Sequence, residues 1–86
     1  MSSSVTVYTT VACPYCVRAK ALLDARGISY DEIHVGREPE ARAELAQKTG
    51  MMTFPQILID DELVGGFDEL SAADKSGRLA ELTAAA

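Results

Sequence analysis

The sequence predicts an α/β domain, a four-stranded mixed sheet with helices on both faces, built in the order β-α-β-α-β-β-α. Three observations lead there. The run Val5-Thr6-Val7-Tyr8-Thr9 alternates β-branched and aromatic residues in strand fashion. Two stretches of helical spacing follow, each closed by a glycine, Gly27 and Gly50. Finally Gln56-Ile57-Leu58-Ile59 and Leu63-Val64 flank the polar Asp60-Asp61-Glu62, a hairpin pattern, ahead of a last helical segment.

Taken in order, the first strand spans residues 5–9, and the loop Thr10-Val11-Ala12 delivers it to Cys13-Pro14-Tyr15-Cys16, which holds both cysteines of the chain. Over residues 14–26 the apolar Val17, Ala21, Leu22 and Ala25 recur at helical spacing, against the polar Arg18, Lys20, Asp24 and Arg26. Gly27 suits the position after the helix end, where a left-handed backbone is needed. Residues 28–34 read as a second strand. Strand, helix, strand implies two parallel neighbours joined by a right-handed crossover. Glu38 and Pro39 open a second helix that runs to Thr49, with Glu40 in its first turn, Lys48 in its last and Leu45 as its main apolar anchor. After the hairpin, Gly65-Gly66 ends the sheet and Asp68 is expected as the N-cap of a helix over residues 69–76. A short final helix over 78–83 and a frayed tail at 84–86 complete the chain.

At 86 residues the chain is expected to be one domain, residues 1–86 with a core over about 4–83. Such a domain buries only about 60–65% of the surface its unfolded chain exposes. A composition of 48% hydrophobic and 24% charged residues fits a folded globular chain. No apolar run reaches the ~20 residues that span a bilayer, and Met1-Ser2-Ser3-Ser4 lacks the basic and apolar regions of a signal peptide. The expectation is therefore a cytoplasmic protein with no membrane partner. A formal charge of −5 argues against nucleic acid.

Two cysteines this close in sequence cannot staple distant elements, so they read as reactive. With Cys13 at the N-cap and Pro14 at the first helical position, the N–H groups of Tyr15 and Cys16 lack intrahelical partners and point toward the Cys13 sulfur. Those donors and the helix dipole favour a thiolate. A fall in pKa from ~8.5 to ~6 would raise the thiolate fraction at neutral pH from a few per cent to about ninety per cent. Cys13 is the expected nucleophile. Cys16, at i+3 on the same face and within disulfide reach, is the expected deeper, resolving thiol. The alternatives are weaker: a pair of small buried hydrophobes leaves Pro14 and the helix start unexplained, and a closed zinc site needs four ligands. Only His34 could join the cysteines, and it reads as a surface residue at the far end of the second strand.

Along residues 4–83 the chain resembles the glutaredoxin family. The resemblance rests on Cys13-Pro14-Tyr15-Cys16 after the first strand, Thr53-Phe54-Pro55-Gln56 before the third and Gly65-Gly66-Phe67-Asp68-Glu69 after the fourth. It implies a thioredoxin-like fold with Pro55 cis and facing the cysteines, Phe54 standing where the family usually has valine. A cysteinyl peptide would pair with the backbone of position 54 as if adding a strand. It further implies that Phe67 and Asp68 donate backbone N–H groups to the γ-glutamyl carboxylate of glutathione across Gly66. The side chains of Asp68 and Glu69 would face its ammonium, and Tyr15, Thr53, Phe54 and Pro55 would line the cleft. The activity implied is thiol–disulfide exchange on protein disulfides and glutathionylated proteins. Glutathione or another small thiol would be the reducing co-substrate, with no tightly bound cofactor and no metal, in a monomer.

Two positions depart from the family pattern. Thr10 stands where many members have lysine, and Met51 where a basic residue is common. Both cations are credited with holding the glycine carboxylate of glutathione, and Lys48, Arg37 or Gln56 are the candidate substitutes. Two other readings follow. One is a redoxin recharged by thioredoxin reductase and serving ribonucleotide reductase, against which Cys-Pro-Tyr-Cys and Gly65-Gly66-Phe67-Asp68 stand. The other is a dimeric iron–sulfur carrier, against which Pro14 stands.

Overall fold

The computed structural model describes residues 4–83; the expected frayed tail at 84–86 and the first three residues, read above for a leader, lie outside them. The elements are β1 (Val5–Thr9), α1 (Pro14–Ala25), β2 (Asp31–His34), α2 (Pro39–Thr49), β3 (Gln56–Ile59), β4 (Glu62–Gly65), α3 (Phe67–Ser76) and α4 (Arg78–Thr83). The strands form one mixed sheet in the order β2-β1-β3-β4, with β1 parallel to β2 and the other pairs antiparallel. This is the four-stranded mixed sheet that the sequence predicts. No helix among the described residues is long and apolar enough to cross a membrane.

Val5 and Val7 of β1 and Ile57 and Ile59 of β3 alternate onto one face of the sheet, where α1, α3 and α4 cover them with Ala19, Leu23, Leu70, Ala73 and Leu79. Each fully buried leucine here contributes roughly 1.5–3 kcal/mol through burial. On the opposite face, α2 reaches Tyr8, whose hydroxyl accepts a hydrogen bond from Lys48 at 3.2 Å. Leu45 is its buried apolar residue, so α2 is held by little apolar burial, as its composition implies.

Three expectations need correction. First, α1 buries Cys16, Ala19 and Leu23, not the stripe through Val17, which is 62% exposed. Cys16 is a core residue as well as a thiol, and the alanines of this helix are too uniform to mark one face. Second, β2 begins at Asp31 rather than at Ile28. The Ile28 N–H bonds the Leu23 carbonyl at 2.9 Å across Gly27, whose φ is +69°, so Ile28 closes the helix instead of joining the sheet. Third, α3 starts two residues earlier than expected, with Gly66 as its N-cap and Asp68 as its second residue. Glu69 decides this, because its Oε1 accepts the Gly66 N–H at 2.8 Å from the third helical position.

Two local features aim the chain at the site. Asp60 and Asp61 both have positive φ, +49° and +67°, the conformation of a two-residue hairpin turn that follows the strand twist. Past the turn, Leu63 pairs with Leu58 but Gly65 with Ile57, leaving Val64 as an extra residue on β4. The bulge bends Gly65-Gly66 toward the loop before β3, and a side chain on Gly66 would lie 3.5 Å from the Pro55 carbonyl oxygen.

Gln56, only 1% exposed, secures that loop. Its Nε2 donates to the carbonyls of Met51 at 3.2 Å and Thr53 at 3.0 Å, while its Oε1 accepts from the Thr49 hydroxyl at 2.7 Å. Replacing Gln56 by leucine leaves these partly buried groups without their partners and should lower the unfolding free energy by about 1–3 kcal/mol. Urea denaturation measures this; a variant as stable as its parent would show that the amide does not hold the loop.

Candidate active site

At the C-terminal end of β1 the chain turns through Ala12, at φ +51°, into Cys13. Cys13 is the N-cap of α1 with extended backbone, and Pro14 is the first helical residue. Here local chemistry dictates geometry, since proline supplies the helical φ and lacks only an N–H that would have no partner. The Cys16 N–H donates to the Cys13 sulfur at 3.2 Å and to the Cys13 carbonyl at 3.1 Å. The two cysteines are joined as a disulfide with their Cα atoms 5.2 Å apart. Cys13 is partly exposed, whereas Cys16 is 3% exposed and sits in the core side of α1.

The other residues singled out from the sequence converge beside this turn. Tyr15, Thr53, Phe54, Pro55, Gly66, Phe67, Asp68 and Glu69, joined by Met51, line one depression of about 220 Å³. The Phe54–Pro55 peptide bond is cis. The Tyr15 ring stands 6.0 Å from that of Phe67, so the first turns of α1 and α3 face each other across the cleft. On the outer side the Arg18 guanidinium lies 5.2 Å from the centre of the Tyr15 ring. At the start of α3, Leu70 is the first residue to bond back, to the Gly66 carbonyl at 3.0 Å. Because Glu69 takes the Gly66 N–H, the N–H groups of Phe67 and Asp68 remain directed out of the helix end.

Cys13 and Cys16 themselves line a separate, wider depression of about 620 Å³, together with Thr10, Val17, Glu32 and His34. The Cys13-Pro14-Tyr15-Cys16 turn therefore borders two hollows, Tyr15 lining the first and the two cysteines the second. His34 is exposed, but it lies at the edge nearest the cysteines rather than far from them. Parallel pairing sets it level with Thr9 at the end of β1. In the same hollow Glu32 accepts from the Thr9 hydroxyl at 2.8 Å and pairs with Lys20 at 3.1 Å. Those two contacts, the hydroxyl first, hold its carboxyl below the usual carboxylate range. Among the described residues no three or more of His, Cys, Asp and Glu stand together as a set of metal ligands.

The residue that sequence reasoning missed is Arg42. From the second turn of α2 its Nη2 donates to the Thr10 hydroxyl at 2.8 Å and its Nε to the Gly36 carbonyl at 2.9 Å. Its guanidinium carbon lies 5.3 Å from the centre of the Phe54 ring. A cation is thus present between Thr10 and Phe54, although neither position 10 nor position 51 carries one. Of the candidate substitutes, Lys48 turns to Tyr8, the Gln56 amide serves the loop carbonyls, and Arg37 is exposed between β2 and α2. The one available signal was that Arg42 lies on the helix preceding the Thr53-Phe54-Pro55 loop, which Lys48 shares.

Comparison with known proteins gives a consistent picture. A family model described as Glutaredoxin matches residues 5–64. The chain is 49% identical over 81 residues to a glutaredoxin of Pseudomonas aeruginosa, covering 94% of this chain and 96% of that one. It is 43% identical over 77 residues to glutaredoxin 3 of Escherichia coli, covering 90% and 93%. Among solved structures, that of a buckwheat glutaredoxin–glutathione complex superposes with a TM-score of 0.84 at 30% identity, over 94% of this chain and 76% of the other.

Proposed function

The chain belongs to the glutaredoxin family and is a thiol–disulfide oxidoreductase; we propose that glutathione is its reducing co-substrate and that it acts on protein disulfides and glutathionylated proteins. In this reading it works as a single-domain cytoplasmic monomer without a tightly bound cofactor. The observation that carries it is the convergence of three separate sequence motifs on the one 220 Å³ cleft beside the Cys13-Pro14-Tyr15-Cys16 turn. The glutathione bound by the buckwheat relative supports the same assignment.

The proposed chemistry starts from the reduced protein. The Cys13 thiolate attacks the glutathione sulfur of a glutathionylated client, forming a Cys13–glutathione disulfide and expelling the client thiolate, which takes up a proton. A second glutathione thiolate attacks the bound glutathione sulfur, restores the Cys13 thiolate and leaves as oxidised glutathione. With a protein disulfide, Cys13 forms the mixed disulfide and Cys16 attacks the Cys13 sulfur, releasing the client dithiol. The product is the Cys13–Cys16 disulfide, which two glutathione molecules reduce.

The cleft suits the two charged ends of glutathione. Its γ-glutamyl carboxylate would accept from the N–H groups of Phe67 and Asp68 at the positive end of α3. The Asp68 carboxylate, exposed at the same turn, would face the ammonium, with Glu69 both lining the cleft and holding Gly66. Thr53, Phe54 and Pro55 would flank the cysteinyl part, and Tyr15 would cover the sulfur. The glycine carboxylate would meet Arg42, which supplies the charge that Thr10 and Met51 do not.

A coupled assay with glutathione and glutathione reductase tests this, run against one with thioredoxin reductase. Turnover of a small disulfide is expected with glutathione, and Arg42→Ala should raise the KM for glutathione about tenfold, the loss of one charge-assisted hydrogen bond. Turnover supported by thioredoxin reductase alone would replace this reading with that of a redoxin fed by that enzyme.

A further inference from the structure

Next to the thiol cleft lies a second cavity of about 290 Å³, which shares Met51 and Phe54 with it as walls. Its remaining apolar walls are Pro39 and Ala43 of α2 and Met52 of the loop. Of the polar residues that touch it, Gln56 has its amide committed to the loop carbonyls and Thr49, and Arg42 is tied to Thr10 and Gly36 at the rim. Met52 is 84% exposed. An unbranched, adaptable side chain left in water at the mouth of an apolar cavity is suited to packing on varied surfaces. The fold does not need this cavity, since the core lies on the other face of β1 and β3. Glutathione, whose two ends are both charged, would use only Arg42 at its rim and leave the apolar walls uncovered.

Resting on the proposal that Cys13 forms mixed disulfides with protein clients, we infer that this cavity receives an apolar side chain flanking the client cysteine. The cavity adjoins the cleft, with Phe54 and Met51 as the walls between them. An extended chain advances ~3.3 Å per residue, so a client segment lying along Thr53-Phe54-Pro55 passes Phe54 within one or two residues of its cysteine. A cavity of this size holds one leucine or phenylalanine side chain. Arg42 at its edge repels lysine and arginine. The protein therefore selects among client cysteines by their neighbours, preferring aliphatic or aromatic ones and rejecting basic ones.

The test is single-turnover reaction of the fully reduced protein with cysteinyl hexapeptides carrying a 5-thio-2-nitrobenzoate leaving group on the cysteine. Attack by Cys13 on the peptide sulfur releases the coloured thiolate and puts the peptide on Cys13, from which Cys16 then displaces it as a thiol with formation of the Cys13–Cys16 disulfide, and no glutathione is needed. Peptides with leucine or phenylalanine flanking the cysteine should react about tenfold faster than the glycine peptide, and the lysine peptide more slowly than glycine. Ala43→Phe, which fills the cavity from the exposed side of α2, should abolish the leucine advantage and leave the glycine rate unchanged. Met52→Glu at the mouth should do the same and raise the lysine rate. Equal rates for leucine and glycine peptides, or an advantage that survives both variants, would overturn the inference. If even the glycine peptide releases no thiolate, the assignment of Cys13 as nucleophile fails first and takes this one with it.

Discussion

Cys13→Ser should reduce every activity, on protein disulfides and on glutathionylated substrates alike, to the rate of uncatalysed thiol exchange. A serine hydroxyl is not appreciably ionised near neutral pH and does not attack disulfide sulfur, so no mixed disulfide forms. The fold should survive, because Cys13 is partly exposed and the serine oxygen is itself a good N-cap for α1. Thermal melting of variant and parent, both under reducing conditions, separates loss of chemistry from loss of structure. Appreciable turnover by the serine variant would assign the nucleophile elsewhere.

Cys16→Ser should split the two activities. Deglutathionylation uses only Cys13 and is expected to stay within the same order as the parent. Reduction of a protein disulfide should fall by at least about a thousandfold, because attack by a thiol already held beside the target sulfur has an effective molarity of ~10⁵ M or more, which millimolar external thiol cannot match. The client should accumulate on Cys13 as a stable mixed disulfide, detectable by non-reducing electrophoresis and mass spectrometry. Equal loss of both activities would mean that Cys16 does more than resolve. Its 3% exposure supplies the specific rival, a packing role that stability measurements on the reduced proteins would reveal.

The roles proposed for the two cysteines could be read from the sequence because they depend on neighbours along the chain. Cys13 and Pro14 carry their own instructions: a thiol at an N-cap, a proline at the first helical position, and a partner at i+3. Gly27 and Gly50, at φ +69° and +76°, likewise announce helix ends whatever packs around them. The resemblance extended this reach to Thr53, Pro55 and Gly66, which meet Tyr15 across the cleft. Where several residues of similar type competed for one position, legibility stopped. Cys16 is buried as expected, but the apolar stripe drawn through Val17 is exposed, and of the two acidic residues at the start of α3 it is Glu69 rather than Asp68 that holds the helix start.

Local rules thus determined the order of elements, the turn chemistry and the identity of the reacting pair, since each is set by dihedral preference or by residues within one helical turn. Tertiary structure alone decided that Val17 is left in solvent, that Gln56 anchors the loop before β3, and that Arg42 brings a cation to Thr10 and Phe54. Such pairings join residues up to 32 positions apart. They arise from the summed packing of α1, α2 and the sheet, a quantity that no short stretch of sequence contains.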